Sequence, residues 1–236
     1  MARAMAISAL PAARLSRACS ASDKDKLQIP AAASVPELKT TILRSVSNTN
    51  RGKDATSEQK QKILSLVEEL ERMNPTENPV NSHLLSGTWA LLYTAPLNEE
   101  IVDRYAGTEE GPFLSRIKPL AFGTIKQTRS LQIIDSINGS VKNIADFSFL
   151  GINGSLCINA AAVKSLEPDT QGVRLLVTFE SFVLTINRIR VATISLAFIK
   201  PKGWVDTTYL DDDMRVGRGD KGSIFVAVRT KMVPSL

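Results

Sequence analysis

The side chains best equipped for chemistry crowd near the C-terminus, in WVDTTYLDDDMRVGRGDKGSIFVAVR (residues 204–229). Asp211, Asp212 and Asp213 are consecutive. A calcium loop of the EF-hand kind alternates its carboxylates with other residues. The DDxxD of a prenyl-diphosphate enzyme does not fit either, because Met214 and Arg215 intervene. No metal site is expected. Read as one strand, 209–216 places Tyr209, Asp211, Asp213 and Arg215 on one face and Leu210, Asp212, Met214 and Val216 on the other. A bulge would change that register. Two readings stay open. The run is a charged hairpin held by ion pairs, or Tyr209, Arg215 and Arg218 form a polar rim where an arginine meets an anionic head group. Gly217, Gly219 and Gly222 permit a turn into a last strand, SIFVAVR. Arg218-Gly219-Asp220 spells an integrin tripeptide, which is discounted once residues 1–33 are read as a transit peptide.

Catalytic constellations are thin elsewhere. His83 is the only histidine, and a surface or capping role suits its place before a strand. No GxSxG elbow, CxxC, HExxH, Walker loop or GxGxxG occurs. Cys157, in the apolar stretch SLCINAAAV, reads as a buried core thiol. No cofactor is expected, and an enzyme that uses only carboxylates or tyrosines stays open, since such pairs are invisible in sequence.

The elements that must position these residues change character midway. SVPELKTTILRSVS reads as a helix with Ser34 as N-cap and Leu38, Ile42 and Val46 in a stripe. A second helix begins at a Thr56–Gln59 capping box, repeats Ile63, Val67 and Leu70, and ends at Asn74-Pro75. From Gly87 the period becomes two. After GTWALLYT and a polar loop (98–112), short β-like runs recur between turn signals such as Asn138-Gly139. Val173, Leu175, Val177 and Phe179 share one face in this reading, and Ile194, Leu196 and Phe198 another. Eight or nine antiparallel strands after a helical pair predict a mainly β fold, a closed or nearly closed barrel with room for side chains or one small ligand. Gly87-Thr88-Trp89 fits its start: the glycine permits close approach, and the indole plugs the barrel end while its N–H finds an acceptor.

Composition is ordinary for a globular chain, 43% hydrophobic and 22% charged. No apolar run reaches the length of a membrane-spanning helix, so expected membrane contact is peripheral. Arg3, Arg14 and Arg17, with no acid before residue 23, supply more than half of the formal charge of +5. The remaining charges interleave, which argues against nucleic acid. Residues 1–33 read as an Ala-, Arg- and Ser-rich transit peptide and linker, 34–80 as the helical pair, and 81–236 as the barrel.

Four ordered pieces span nearly the whole mature chain: a helix before Asn50-Arg51-Gly52, LVEELERMNPTENP, LLSGTWALLYTA and the C-terminal run. Together they resemble the plastid lipid-associated protein family, the fibrillins. The matching positions are Gly87, Trp89, Leu92, Tyr93 and Thr94, then Asp206, Tyr209, Leu210, Asp211, Arg215, Arg218, Gly219, Asp220 and Gly222. Gly87, Asp206, Asp211, Asp220 and Gly222 look architectural. The resemblance implies a lipocalin-like β-barrel in plastid stroma, thylakoid or plastoglobule. It implies a non-enzymatic role in binding or organising apolar plastid lipids: prenylquinones, carotenoids, tocopherols or fatty acids. The alternative it implies is a soluble accessory factor of a prenylquinone-pathway enzyme such as a prenyl-diphosphate synthase. The expected barrel lining is Trp89, Tyr93, Phe147, Phe179, Phe198 and Phe225.

Overall fold

The computed structural model describes residues 33–96, 126–220 and 222–231. Most of the expected transit segment and the polar loop at 98–112 lie outside the described residues.

Both helices form for the reasons their sequences suggest. In α1 (Val35–Val46) the Glu37 carboxylate accepts from the Ser34 backbone N–H at 2.9 Å and from the Ser34 hydroxyl at 2.8 Å. In α2 (Ser57–Arg72) the capping box is reciprocal: Gln59 N–H donates to Thr56 Oγ1 and Thr56 N–H to Gln59 Oε1. Each helix buries one stripe, Leu38, Ile42 and Val46 in α1 and Ile63, Val67 and Leu70 in α2. The turn between them carries three consecutive positive-φ residues, Asn50, Arg51 and Gly52. Gly52 is needed there. A Cβ on it would lie 2.2 Å from the Thr94 carbonyl oxygen. The Arg51 carbonyl also accepts from Thr94 N–H at 3.1 Å, which ties the helical hairpin to the first strand.

Nine strands follow among the described residues: β1 (Gly87–Pro96), β2 (Lys126–Asp135), β3 (Ser140–Phe149), β4 (Ile152–Lys164), β5 (Arg174–Ile186), β6 (Ile189–Ser195), β7 (Lys202–Leu210), β8 (Met214–Gly219) and β9 (Ser223–Arg229). Their hydrogen bonding runs β4-β3-β2-β1-β9-β8-β7-β5 and returns through β4–β5. Eight antiparallel strands therefore close a ring, which leaves no edge in the barrel wall. The mainly β, lipocalin-like barrel with a preceding helical pair is the fold expected from the sequence.

β6 stands outside the ring because β5 is shared. Its first half, Arg174 to Thr178, pairs with β7, and its second half, Ser181 to Ile186, pairs with β6. The wall is consequently low on the β7 side, and β6 flanks the notch.

Strand register separates the two faces. Trp89 lies opposite Gln132, which lies opposite Asn143, then Ile158, then Phe182. These residues look inward. Their neighbours Leu131, Ile144 and Cys157 form a small apolar cluster on the outer wall. The helices cover the outer wall of β7 to β9 and β1. Lys39 of α1 reaches the β7–β8 turn at Asp211 (2.7 Å), and Glu71 of α2 pairs with Arg218 of β8 (2.6 Å).

Candidate functional site

The barrel is shut at one end and open at the other. At the shut end Trp89 is fully buried and its indole N–H donates to the Leu85 carbonyl at 3.0 Å. The Arg229 guanidinium lies 4.2 Å from the Trp89 ring. Its Nε donates to the Asp212 carbonyl (2.6 Å), Nη1 to that of Ser86 (3.0 Å) and Nη2 to that of Leu84. Arg229 thus staples the entry to β1 onto the β7–β8 turn. A Cβ on Gly87 would come within 2.4 Å of Nη1, and its φ of 145° is one that side-chain-bearing residues rarely adopt. Val80, Leu85, Ile134, Val141, Ala160, Ala162, Leu175, Val177, Leu210 and Ala227 pack around the indole and fill the base.

Toward the other end the inward residues emerge. Along β4 they run from Ala162 and Ala160, buried, through Ile158, Leu156 and Gly154, half-buried, to exposed Ile152. On β3 the same gradient runs from buried Val141 through half-buried Asn143, Ala145 and Phe147. Leu91, Ser130, Leu184 and Phe225 are also inward and half-buried. The interior is a cup: a packed base below, and an apolar inner wall reached by solvent above.

The expected lining is only partly inside. Trp89, Phe147, Phe179 and Phe225 face inward, by their registers opposite Gln132, Gly154, Ala160 and Gly217. Tyr93 does not. A bulge between Leu91 and Tyr93 reverses the alternation, and Tyr93 is buried on the outer wall against Gly52. Phe198 is also outside. The chain turns at Leu196, whose carbonyl accepts from the N–H groups of Ile199 and Lys200, so the strand ends at Ser195. Leu196 is buried and Phe198 fully exposed, and the expected shared face of Ile194, Leu196 and Phe198 is lost. Phe182 was missed. A bulge at Asn159/Ala160 brings Phe179 and Phe182, three residues apart, onto one inner face.

The expected rim does not converge. Residues 211–213 are a turn rather than strand, and β7 bulges between Thr207 and Tyr209. Tyr209 and Arg218 point outward to the helices, whereas Arg215 points into the barrel. Tyr209 is wholly buried and its hydroxyl donates to Asp211. Asp211 also accepts from Lys39 Nζ and from the N–H groups of Asp213 and Met214 at 3.1 and 2.8 Å. Burial alone would raise this carboxyl, but the hydrogen bonds from Lys39, Tyr209 and Met214 outweigh it and hold Asp211 well below the usual carboxylate range. Asp213 completes the pair with Lys39. The three aspartates are thus a turn and a clamp for α1.

Other motif positions are architectural in the same sense. Asp206 takes both Nε and Nη2 of Arg174, at 2.6 and 2.8 Å, and that guanidinium stacks 3.8 Å over Trp204. Gly222, at φ 66°, donates to the Gly219 carbonyl in the β8–β9 turn. Asp220 crowds Gly203, where a Cβ would meet its carboxylate at 2.7 Å.

Arg215 is the residue that sequence reasoning placed least well. It is 5% exposed and projects from β8 across the barrel floor. Its Nη2 donates to Gln132 Oε1, and Gln132 Nε2 donates onward to Asn143 Oδ1 at 2.7 Å. The guanidinium lies 5.7 Å from the Trp89 ring. Burial pushes its pKa down to about 10.

Two features outside the cup carry less chemistry. A hollow of about 600 Å³ at the rim crosses Arg129, Asp146, Phe147, Ser155 and Arg188. Its Arg129 and Asp146 side chains form an ion pair at 2.5 Å. Burial raises the Cys157 thiol, which suppresses its nucleophilic form. Among the described residues no three His, Cys, Asp or Glu side chains gather as a metal site, and no helix is long and apolar enough to cross a membrane.

Known proteins resemble this chain in sequence. The PAP_fibrillin family model matches residues 36–228. A probable plastid-lipid-associated protein 2 of Arabidopsis thaliana, chloroplastic, is 31% identical over 81% of this chain and 70% of its own length. A chromoplast-specific carotenoid-associated protein of Cucumis sativus is 27% identical over 82% of this chain and 67% of its own. A plastid-lipid-associated protein of Citrus unshiu, also chloroplastic, is 28% identical over 83% and 68%. The matched span runs from α1 through the barrel to the last strand, and on that evidence the chain belongs to the PAP_fibrillin family of plastid proteins.

Proposed function

We propose that the protein is a non-enzymatic carrier of single apolar lipids in the plastid, holding the lipid chain in the barrel cup. The supporting observation is the gradient of the inner wall, packed at the base and half-open and apolar above. Proteins rarely leave such a surface without an occupant. Sheltering ten methylenes offers roughly 8 kcal/mol of gross driving force at about 0.8 kcal/mol each, reduced by the ordering of the chain. The names of the relatives, lipid-associated and carotenoid-associated, favour an apolar cargo.

The β6 lip suits loading from a lipid surface. Ile189, Val191, Ile194, Phe198 and Ile199 are all more than half exposed. Arg188, Arg190, Lys200 and Lys202 stand among them, and residues 187–202 contain no acid. Apolar side chains interleaved with cations match an anionic bilayer or lipid-body surface. That match supports peripheral contact with a thylakoid or plastoglobule. β6 is also an open sheet edge able to receive a partner's strand. That is the feature an accessory role beside a prenyl-diphosphate synthase would use.

The test is native mass spectrometry of the full chain after exchange with a plastid lipid extract. One prenylquinone, carotenoid, tocopherol or fatty acid per chain supports the carrier. A folded protein that stays lipid-free, or one that instead retains a stoichiometric synthase, removes it.

A further inference from the structure

We infer that Arg215 is a ligand-binding residue, the cation at the floor of the cup that takes the carboxylate of a long-chain fatty acid. The inference rests on the carrier reading above and names the cargo's head group.

Barrel interiors rarely hold an arginine without a partner, because an uncompensated buried charge is costly. This barrel holds two, and they differ. Arg229 spends all three guanidinium nitrogens on backbone carbonyls at the shut end. Arg215 spends one, on Gln132. Its Nε and Nη1 are buried with no hydrogen-bond partner, and among the described residues no carboxylate forms an ion pair with it. The acids of the strands do not help. Asp146 and Asp206 lie on the outer wall, each bound to an outer arginine. Asp135 caps the β2–β3 turn. Glu180 is exposed at the β5 bulge.

A second inward polar atom shares the condition. Thr207 is wholly buried, and its Oγ1 has no partner. Thr207 lies opposite Gly217, two residues from Arg215 along the inner face of β8, roughly 7 Å away by strand geometry. Two unsatisfied polar groups on one patch of the inner wall are what a ligand head group would complete. The patch adjoins the open part of the cup, since Gln132 and Asn143, joined to Arg215 by hydrogen bonds, are only half-buried. Above it the wall is apolar, with Leu91, Ile158, Phe182 and Phe225. That polarity order, cation below and hydrocarbon above, fits an amphiphile inserted head first. One monovalent cation matches a carboxylate better than a doubly charged phosphate ester.

The experiment compares dodecanoate, dodecanol and dodecyl phosphate by calorimetric titration of the full chain, in the wild type and in Arg215→Met. The wild type is expected to bind dodecanoate at least tenfold more tightly than dodecanol, the range of a charge-assisted hydrogen bond. Arg215→Met is expected to erase that preference, keep its dodecanol affinity and melt no lower than the wild type. A second readout needs no variant. The carboxyl of bound [1-13C]dodecanoate should titrate at lower pH than the free acid, since a guanidinium favours its anion; burial without a cation would move it up. Equal affinity for dodecanoate and dodecanol, a preference that survives in Arg215→Met, or an upward carboxyl shift each overturns the inference while leaving the carrier intact. Tighter binding of the phosphate overturns the carboxylate assignment. If none of the three binds, the carrier reading fails and this one with it.

Discussion

Replacing Asp211 by Asn tests the clamp that seats α1 on the barrel. One carboxylate oxygen accepts from the Asp213 and Met214 N–H groups, which an amide oxygen can still do. The other accepts from Lys39 Nζ at 2.7 Å and from the Tyr209 hydroxyl. In the variant an amide NH₂ would face that ammonium, so one charge-assisted bond is lost at a site only 19% exposed. Such bonds contribute about 1.5–3 kcal/mol. Lys39 keeps Asp213, an exposed partner of small value. The expected loss is therefore about 2 kcal/mol, or about 4–8 °C in melting temperature for a domain of this size. The pH dependence follows from linkage. The folded carboxyl titrates below its ordinary value of 3.8. Its contribution is complete above that value and is lost as pH falls through the folded pKa. Melting curves followed by circular dichroism from pH 7 to pH 3 should show a constant gap between wild type and variant down to about pH 4, then a narrowing one. A gap under about 0.5 kcal/mol at pH 7, or one that does not narrow in acid, would refute the clamp.

Gly52→Ala should destabilise by about 2 kcal/mol or more in urea titration, because the new Cβ meets the Thr94 carbonyl at 2.2 Å with φ at 94°. Trp89→Phe should lose about 2–3 kcal/mol through the missing bond to the Leu85 carbonyl and the space left at the base. The double variant Ile194→Ser, Phe198→Ser should melt within about 1 °C of the wild type, since both side chains are exposed. It should sediment at least tenfold less with vesicles of three parts phosphatidylcholine to one part phosphatidylglycerol, and unchanged sedimentation would remove the β6 lip as a docking surface. Cys157 should resist a thiol reagent in native buffer at pH 8 and react at once in denaturant.

Much of the scaffold was legible from local pattern. The Thr56–Gln59 box, the stripes of α1 and α2, the Gly87-x-Trp89 plug and the count of strands all rest on interactions within a few residues, or on a period that backbone geometry imposes. The faces of aromatic residues were less legible where the period is interrupted. Tyr93 stands four residues after Trp89 and would share its face but for the bulge at Leu91/Tyr93. Phe179 and Phe182 share a face only because of another bulge. A single inserted residue inverts every side chain beyond it, and no residue type in either strand announces the insertion.

By itself the sequence determined the order of elements, the two helix caps, the Gly87-x-Trp89 plug and the family, because each is carried by residues close together in the chain. Only the tertiary structure decided where the charges of the C-terminal run point. Asp211 and Asp213 hold a helix 172 and 174 residues away, Arg218 reaches α2, and Arg215 turns into the barrel. The reason is closure. A strand has two equivalent faces until the sheet curls into a ring; after that one face is solvent or helix and the other a confined interior. An arginine that would be ordinary on the first becomes, on the second, a buried cation with donors to fill.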